Sequence, residues 1–289
     1  IVTPSYNQGQ FIEETIRSVL LQGYPNLEYI IIDGGSTDNS VDIIKKYEQY
    51  LAYWSSETDR GQSHAINKGW TKCTGDYLAW MNSDDCYLAN AFNNTAKIFL
   101  EFHYDFIYGL TYIGTYIKDK KIIEGKGIKD FKLKNLLKFF YSVEYIIPSQ
   151  SVFIAKSKLK QVGYLNENLH YCMDLDLFIR LFLANSIVYR NSQPICFYRV
   201  HSMAKTTIQK QAMRNEAIEV AKRYSHFLQG KDWRKILRLI LYSQYLTEYN
   251  MNLRDKTIKN LLKTAIQLPL ESLTDTRFLG LIKRTLLNI

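Results

Sequence analysis

Apolar residues in the first 80 positions fall into two alternating rhythms. Compact apolar runs at residues 1–3, 27–32, 51–54 and 77–81 have the length and composition of buried strands. Between the first two, Phe11, Ile12, Thr15, Ile16, Val19 and Leu20 recur at helical spacing. Val41, Ile44 and Tyr47 repeat that spacing after the second run, and residues 62–70 predict a third helix. Strand and helix alternating at this length predict an α/β domain with a mostly parallel central sheet covered by helices on both faces.

Past residue 85 the rhythm loosens. The pattern predicts a helix over 91–102, strands at 106–108 and 110–117 with the second polar enough for a sheet edge, and a basic amphipathic segment at 131–141. A buried strand is expected at 150–154. Leu177, Phe178, Leu181 and Phe182 give the helix predicted over 174–184 one apolar face. The last strand is expected within 187–200, ending at His201. From Met203 onward only helical periodicity remains, and Ile258, Leu261, Leu262, Ala265 and Ile266 form an apolar stripe with Lys256, Lys259 and Lys263 off it. This divides the chain into a domain at 1–202 and a basic helical region at 203–289.

Composition narrows the class. With 46% hydrophobic and 22% charged residues the chain reads as an ordinary soluble globular protein, which excludes a disordered one. No apolar run reaches the roughly 20 residues a bilayer span requires. Cys73, Cys86, Cys172 and Cys196 stand singly, so structural zinc is not expected and the reducing cytoplasm is the simplest compartment. Ile1 reads as the middle of a strand, with a few residues lost before it. The net charge of +9 is uneven: residues 231–289 hold eleven Lys or Arg against five Asp or Glu, which leaves +3 for the first 230. Such a tail suits peripheral contact with the inner face of an anionic membrane, or a solvated helix face. Nucleic acid is not expected, because no aromatic RNA-binding signature is interleaved with the charge.

Each early strand ends in a polar signature. Tyr6 and Asn7 follow the first, Asp33 the second, Asp59-Arg60-Gly61-Gln62 the third and Asn82-Ser83-Asp84-Asp85 the fourth. Parallel strands bring these ends to one rim, where open α/β sheets bind ligands. There Tyr6 suits stacking on a base, Asp33 a ring nitrogen or sugar hydroxyl, and the planar fork of Arg60 a phosphate. Adjacent carboxylates at a strand end suit a divalent cation shared with substrate phosphates. They also suit a solvated turn, as Asp38 suits a helix cap.

Taken in order, Pro4-Ser5-Tyr6-Asn7, Ile32-Asp33-Gly34-Gly35-Ser36-Thr37-Asp38, Asp59-Arg60-Gly61-Gln62 with Asn67-Lys68-Gly69, Asn82-Ser83-Asp84, Met173-Asp174-Leu175-Asp176-Leu177 and Tyr198-Arg199-Val200-His201 resemble the inverting family 2 glycosyltransferases of GT-A fold. The resemblance runs from Ile1 to about His201. It implies Mn²⁺ or Mg²⁺ on Asp84, with His201 as a further metal contact, and Asp174 as the catalytic base. Pro4, Tyr6, Asn7, Asp33, Asp59, Arg60, Gln62, Asn82 and Ser83 fall at its nucleotide-sugar positions. The implied donor is a UDP-sugar and the implied acceptor a glycan or lipid-linked glycan in polysaccharide biosynthesis. Two positions depart from the pattern: Asn82 replaces the first Asp of the DxD motif, and Met173 replaces an acid before Asp174. Asp176, two residues on, points away from Asp174 on a helix.

The chemistry asks for these residue types. A cation neutralises the departing diphosphate, and a carboxylate on the opposite side takes the proton of the attacking hydroxyl. Two other readings share the fold: a nucleotide-sugar-binding protein without turnover, made conceivable by Asn82 and Met173, and a sugar-phosphate nucleotidyltransferase. The latter needs a basic glycine-rich loop after the first strand, and Pro4-Ser5-Tyr6-Asn7-Gln8-Gly9 carries no cation.

Overall fold

A computed structural model of the protein describes residues 1–115, 123–124, 130–140 and 146–250. The apolar stripe expected at 258–266 lies outside them, as do most of the residues between 116 and 145.

Strands β1 (Val2–Ser5), β2 (Ile30–Asp33) and β3 (Tyr53–Ser56) pair in parallel in the order β1-β2-β3. Helices α1 (Ile12–Leu20), α2 (Ser40–Lys46) and α3 (Gln62–Lys72) connect them in turn and lead onward. The chain then reverses its direction across the sheet. Residues 79–81 lie on the far side of β1, where Val2 N donates to Ala79 O (3.0 Å) and Met81 N donates to Val2 O (2.9 Å). The open rim between β1 and this segment is a topological switch point, where crevices form outside the carboxyl ends of strands.

The second half of the sheet is mixed. Strands β4 (Tyr77–Leu78), β5 (Cys86–Tyr87), β6 (Phe106–Gly114), β7 (Ile123–Glu124), β8 (Val152–Ala155) and β9 (Val188–Arg199) run in the order β4-β8-β6-β9-β5, with β7 on β6. Of these pairings only β6 with β9 is parallel. Parallel character therefore belongs to the N-terminal half, whose strands are joined by helical crossovers. The two strands expected at 106–108 and 110–117 are one, with a register shift at Gly109, where an added Cβ would lie 2.8 Å from Ile195 Cδ1. Its polar half is flanked on both sides, by β9 and β7, and Thr111 Oγ1 meets Cys196 Sγ at 3.1 Å. The third strand extends two residues past its apolar part, because the ladder to β2 continues through Ser55 and Ser56 to Asp33.

Strand alternation divides the core in two. Ile30 and Ile32 face one side with Ala65, Ile66 and Trp70 of α3, and Ile31 faces the other with Ile12 and Ile16 of α1 and Ile44 of α2. Among the described residues the remaining α-helices are α4 (Ala91–Glu101), α5 (Leu133–Leu136), α6 (Lys156–Val162), α7 (Met173–Leu183), α8 (Lys205–Ile208), α9 (Lys210–Ser225) and α10 (Gly230–Asn250). Ala217, Ile218 and Val220 of α9 and Ile236 and Ile240 of α10 are buried in the same core as α7 and the sheet. Full burial contributes about 1.5–3 kcal/mol for each large aliphatic side chain. No helix among the described residues is long and apolar enough to cross a membrane.

Packing of α3 on β1 requires glycine at position 69. A Cβ there would stand 2.5 Å from Val2 Cγ1 and 2.8 Å from Val2 Cγ2. Gly69→Ala gains up to about 1 kcal/mol in helix propensity but overpacks the interface at a cost of roughly 1–3 kcal/mol. The variant is therefore expected to unfold at lower urea than the parent, and an equal or higher midpoint would show that Val2 yields without cost.

Candidate functional site

The rim at the switch point is organised by buried carboxylates. Asp33, at the end of β2 and fully buried, accepts hydrogen bonds from the Gly35 and Ser36 amides (3.1 and 2.8 Å) and from the hydroxyls of Ser36 and Ser56 (2.6 and 2.7 Å). It shapes the 34–37 turn, in which Gly35 takes a φ of +82°. Asn7, itself at φ +51°, joins that turn: its amide donates to Ser36 Oγ (2.8 Å) and its Oδ1 accepts from the Thr37 amide (2.8 Å). Pro4 is buried in β1 opposite Ile32, whereas the Tyr6 ring stands 60% exposed on the rim. Asp38 accepts from the amides of Gly9 and Ser40 (both 2.9 Å), tying the first loop to the start of α2.

The third strand end adds a second cluster. Asp59 accepts from the Gly61 amide at 2.7 Å and packs against Gly34, where a Cβ would meet its Oδ2 at 2.8 Å. The Arg60 guanidinium is exposed and pairs with Glu167 at 2.6 Å. Gln62, in the first turn of α3, donates to Asn82 Oδ1 at 2.8 Å, so the third and fourth strand ends are joined directly.

At the fourth end, adjacent carboxylates have opposite fates. Asp85 is fully buried and accepts from the Arg199 amide (2.8 Å), Gln150 Nε2 (2.6 Å) and Asn82 Nδ2 (3.2 Å). Burial first, and the Asp84 charge second, push its carboxyl well above the usual carboxylate range. Asp84 instead faces the rim, with Oδ2 3.1 Å from His201 Nε2. The His201 ring lies 4.6 Å from that of Phe11, and its Nδ1 is buried without a partner. Arg199 braces the junction: Nε donates to Asp84 O (2.9 Å) and Nη2 pairs with Glu14 (2.5 Å). Ser83 is buried between them in sequence. Among the described residues no three His, Cys, Asp or Glu side chains cluster for a metal. The Asp84 and His201 pair offers two, an oxygen and an imidazole nitrogen. That fits a cation whose other positions are filled by phosphate oxygens and water.

Asp174 enters from another direction. It sits half-buried in the first turn of α7, with Oδ1 accepting from the Leu175 amide at 2.7 Å, and burial pushes its carboxyl up to about 6. The Glu216 charge adds to that rise and the Lys205 charge opposes it. The loop before it is held by Glu216 of α9, whose carboxylate accepts from three successive amides, His170 (2.9 Å), Tyr171 (2.7 Å) and Cys172 (2.7 Å). Asp176 is committed elsewhere, buried against Arg180 (2.9 Å) and the Tyr224 hydroxyl (2.8 Å). A small cleft is lined by Arg60, Gln62, Glu167, His170 and Lys205. Gln62 connects it to Asn82, and Lys205 connects it to the surroundings of Asp174.

Sequence reasoning did not single out Glu216, Lys205, Gln150 or Glu14. Nothing local marks them, since each acts on a partner at least 30 residues away in the chain.

Known proteins are similar to this chain. The chain is 29% identical over 211 residues to an uncharacterized glycosyltransferase of Rickettsia typhi, covering 72% of this chain but only 65% of that protein. Over 106 residues, 35% of the chain and 41% of the relative, it is 35% identical to the putative teichuronic acid biosynthesis glycosyltransferase TuaG of Bacillus subtilis. Among solved structures, S. aureus TarS 1–349 in complex with UDP-GlcNAc superposes with a TM-score of 0.61 at 17% identity, covering 98% of this chain and 79% of that one. The mannosyltransferase PcManGT from Pyrobaculum calidifontis, in complex with GDP-Man and Mn²⁺, gives 0.57 at 15% identity, covering 99% and 86%. At these identities the superpositions speak for the fold alone, which is the GT-A type. The profile of glycosyl transferase family 2 matches residues 1–158, more than half of the chain, and on that match the protein belongs to family 2.

Proposed function

We propose that the protein is a metal-dependent inverting glycosyltransferase, moving a sugar from a nucleoside-diphosphate donor to a hydroxyl of a glycan or lipid-linked acceptor in polysaccharide biosynthesis. The observation that supports this reading is the pairing of Asp84 with His201 at the strand-end rim, where Asn82 of the same turn is held by Gln62, a residue that lines a cleft together with Lys205, whose charge acts on Asp174. TarS was solved with UDP-GlcNAc and TuaG is named for teichuronic acid biosynthesis, so a UDP-sugar is the first donor to test.

The roles follow from the chemistry. Tyr6 offers an exposed ring for a base, on a loop fixed by Asn7, Asp33 and Pro4. Asp59, Arg60, Gln62, Asn82 and Ser83 border the diphosphate and ribose. Asp84 and His201 would hold Mn²⁺ or Mg²⁺, which when bound supplies Lewis-acid stabilisation of the departing diphosphate. Asp174 accepts the proton of the acceptor hydroxyl as its oxygen attacks the anomeric carbon. The bond from that carbon to the diphosphate oxygen breaks on the opposite face, so configuration inverts. A base of this kind contributes typically about 10² to 10⁴-fold.

Three outcomes test the reading. Asp174→Asn keeps shape and hydrogen bonding while removing the basic oxygen, so turnover is expected to fall by roughly 10² to 10⁴-fold with binding of UDP unchanged in calorimetry; full turnover would remove Asp174 from the mechanism. Since Asp174 must be ionised to act and burial lifts it to about 6, kcat/KM should drop tenfold per pH unit below that value and level off above it. A rate flat to pH 4.5 would contradict the assignment. Titration of UDP with and without Mn²⁺ should show metal-enhanced affinity in the parent protein and none in Asp84→Ala, and equal enhancement in both would take the metal away from Asp84.

A further inference from the structure

Helix α10 divides lengthwise into three strips. Ile236, Leu239, Ile240 and Ser243 are buried in the core. Lys231, Arg234, Lys235 and Arg238 recur at i, i+3, i+4 and i+7 and so share one strip, on which Lys231 and Lys235 are exposed while Arg234 and Arg238 are half-buried, the Arg238 Nε fully so. Trp233, Leu237 and Leu241 follow at i, i+4 and i+8 along the border between the two. Trp233 is 38% exposed and both leucines are only partly buried.

The fold brings a second basic segment to this helix. Lys134 of α5 reaches Asp232 at 3.2 Å, which sets residues 130–138 beside residues 231–238 although nearly 100 positions separate them. Together the two segments hold seven Lys or Arg and two Asp. Both acids are already paired, Asp130 with Lys132 at 2.7 Å and Asp232 with Lys134. Lys138, just past α5, has its pKa lowered by burial first and by the Lys134 charge second, with the Asp232 charge opposing.

Within α10 a cationic strip thus runs alongside a strip of Trp and Leu. That combination matches the boundary between anionic headgroups and acyl chains, where amphipathic helices lie in the plane of the surface and Trp prefers the headgroup level. A nucleic-acid backbone would use the cations and leave the apolar strip without purpose. We infer that the outer face of α10, with the lysines of residues 130–138 beside it, is a peripheral docking surface for an anionic lipid bilayer. The inference concerns where the protein resides and stands independently of the reaction above.

Co-sedimentation of the full chain with vesicles tests it, comparing phosphatidylcholine alone with phosphatidylcholine containing phosphatidylglycerol, at low and high salt. Binding is expected only to the anionic vesicles and to weaken with salt. Each cation near such a surface contributes about fivefold in partitioning, so Lys231→Gln with Lys235→Gln should weaken binding roughly 25-fold. Both side chains are exposed, so the thermal midpoint should not move. The matched control, Lys45→Gln with Lys46→Gln on the exposed side of α2, should bind like the parent. Equal losses in the two double variants, equal binding to neutral vesicles, no binding to either, or stronger binding to duplex DNA than to anionic vesicles would each overturn the inference.

Discussion

The buried carboxylate of Asp85 is the constraint on which the candidate site's rim depends. It accepts the backbone amide of Arg199, the side-chain amide of Gln150 and that of Asn82, so three distant segments meet at one group. The bond to the Arg199 amide fixes where β9 ends, and His201 lies two residues beyond that point. The same bond fixes the 82–85 turn, and Asp84 is the neighbouring residue. The 3.1 Å approach of Asp84 to His201 is therefore a consequence of how Asp85 is buried. A buried acceptor that loses a partner costs about 1–3 kcal/mol, so this junction is held more firmly than exposed side chains could hold it.

The other half of the site rests on a different carboxylate. Glu216 gathers three consecutive amides and so fixes the approach of the chain to α7, where Asp174 stands. Asp176 strengthens that attachment through the Tyr224 hydroxyl of the same α9 helix. The helices after residue 203 thus shape the position and electrostatics of the candidate base, and their apolar faces complete the core beneath it. Arg60 and Glu167, which both line the cleft, form an ion pair exposed to solvent. Such pairs are worth only about 0–1 kcal/mol, so a substrate can displace this one at little cost.

Much of this was legible in the sequence, for physical reasons that can be stated. The alternation of apolar strand and amphipathic helix up to Met81 located the N-terminal elements within a few residues, since burial on both faces leaves little choice of period. The polar strand ends could be foreseen as one rim because parallel strands must place them there. Other features were not legible. Gln150 looked like the first residue of a buried strand, yet it turns inward as the partner of Asp85. The polar stretch after Gly109 looked like an edge, yet strand pairing on both sides encloses it. Each depends on contacts between residues far apart in the chain, which periodicity does not register.

Asn82 shows how a departure from the family's motif can be read physically. Its amide works in two directions, accepting from Gln62 through Oδ1 and donating to Asp85 through Nδ2. An aspartate in this geometry would face Asp85 with oxygen against oxygen at 3.2 Å, so one of the two carboxyl groups would have to hold a proton. With Asn82 the donor is permanent and carries no charge. The negative charge of the turn then concentrates on Asp84, the carboxylate that faces the rim, while Asp85 anchors the turn and Asn82 relays its position to α3. One amide thereby links the third and fourth strand ends, so the start of α3 and the Asp84 turn are held as one unit.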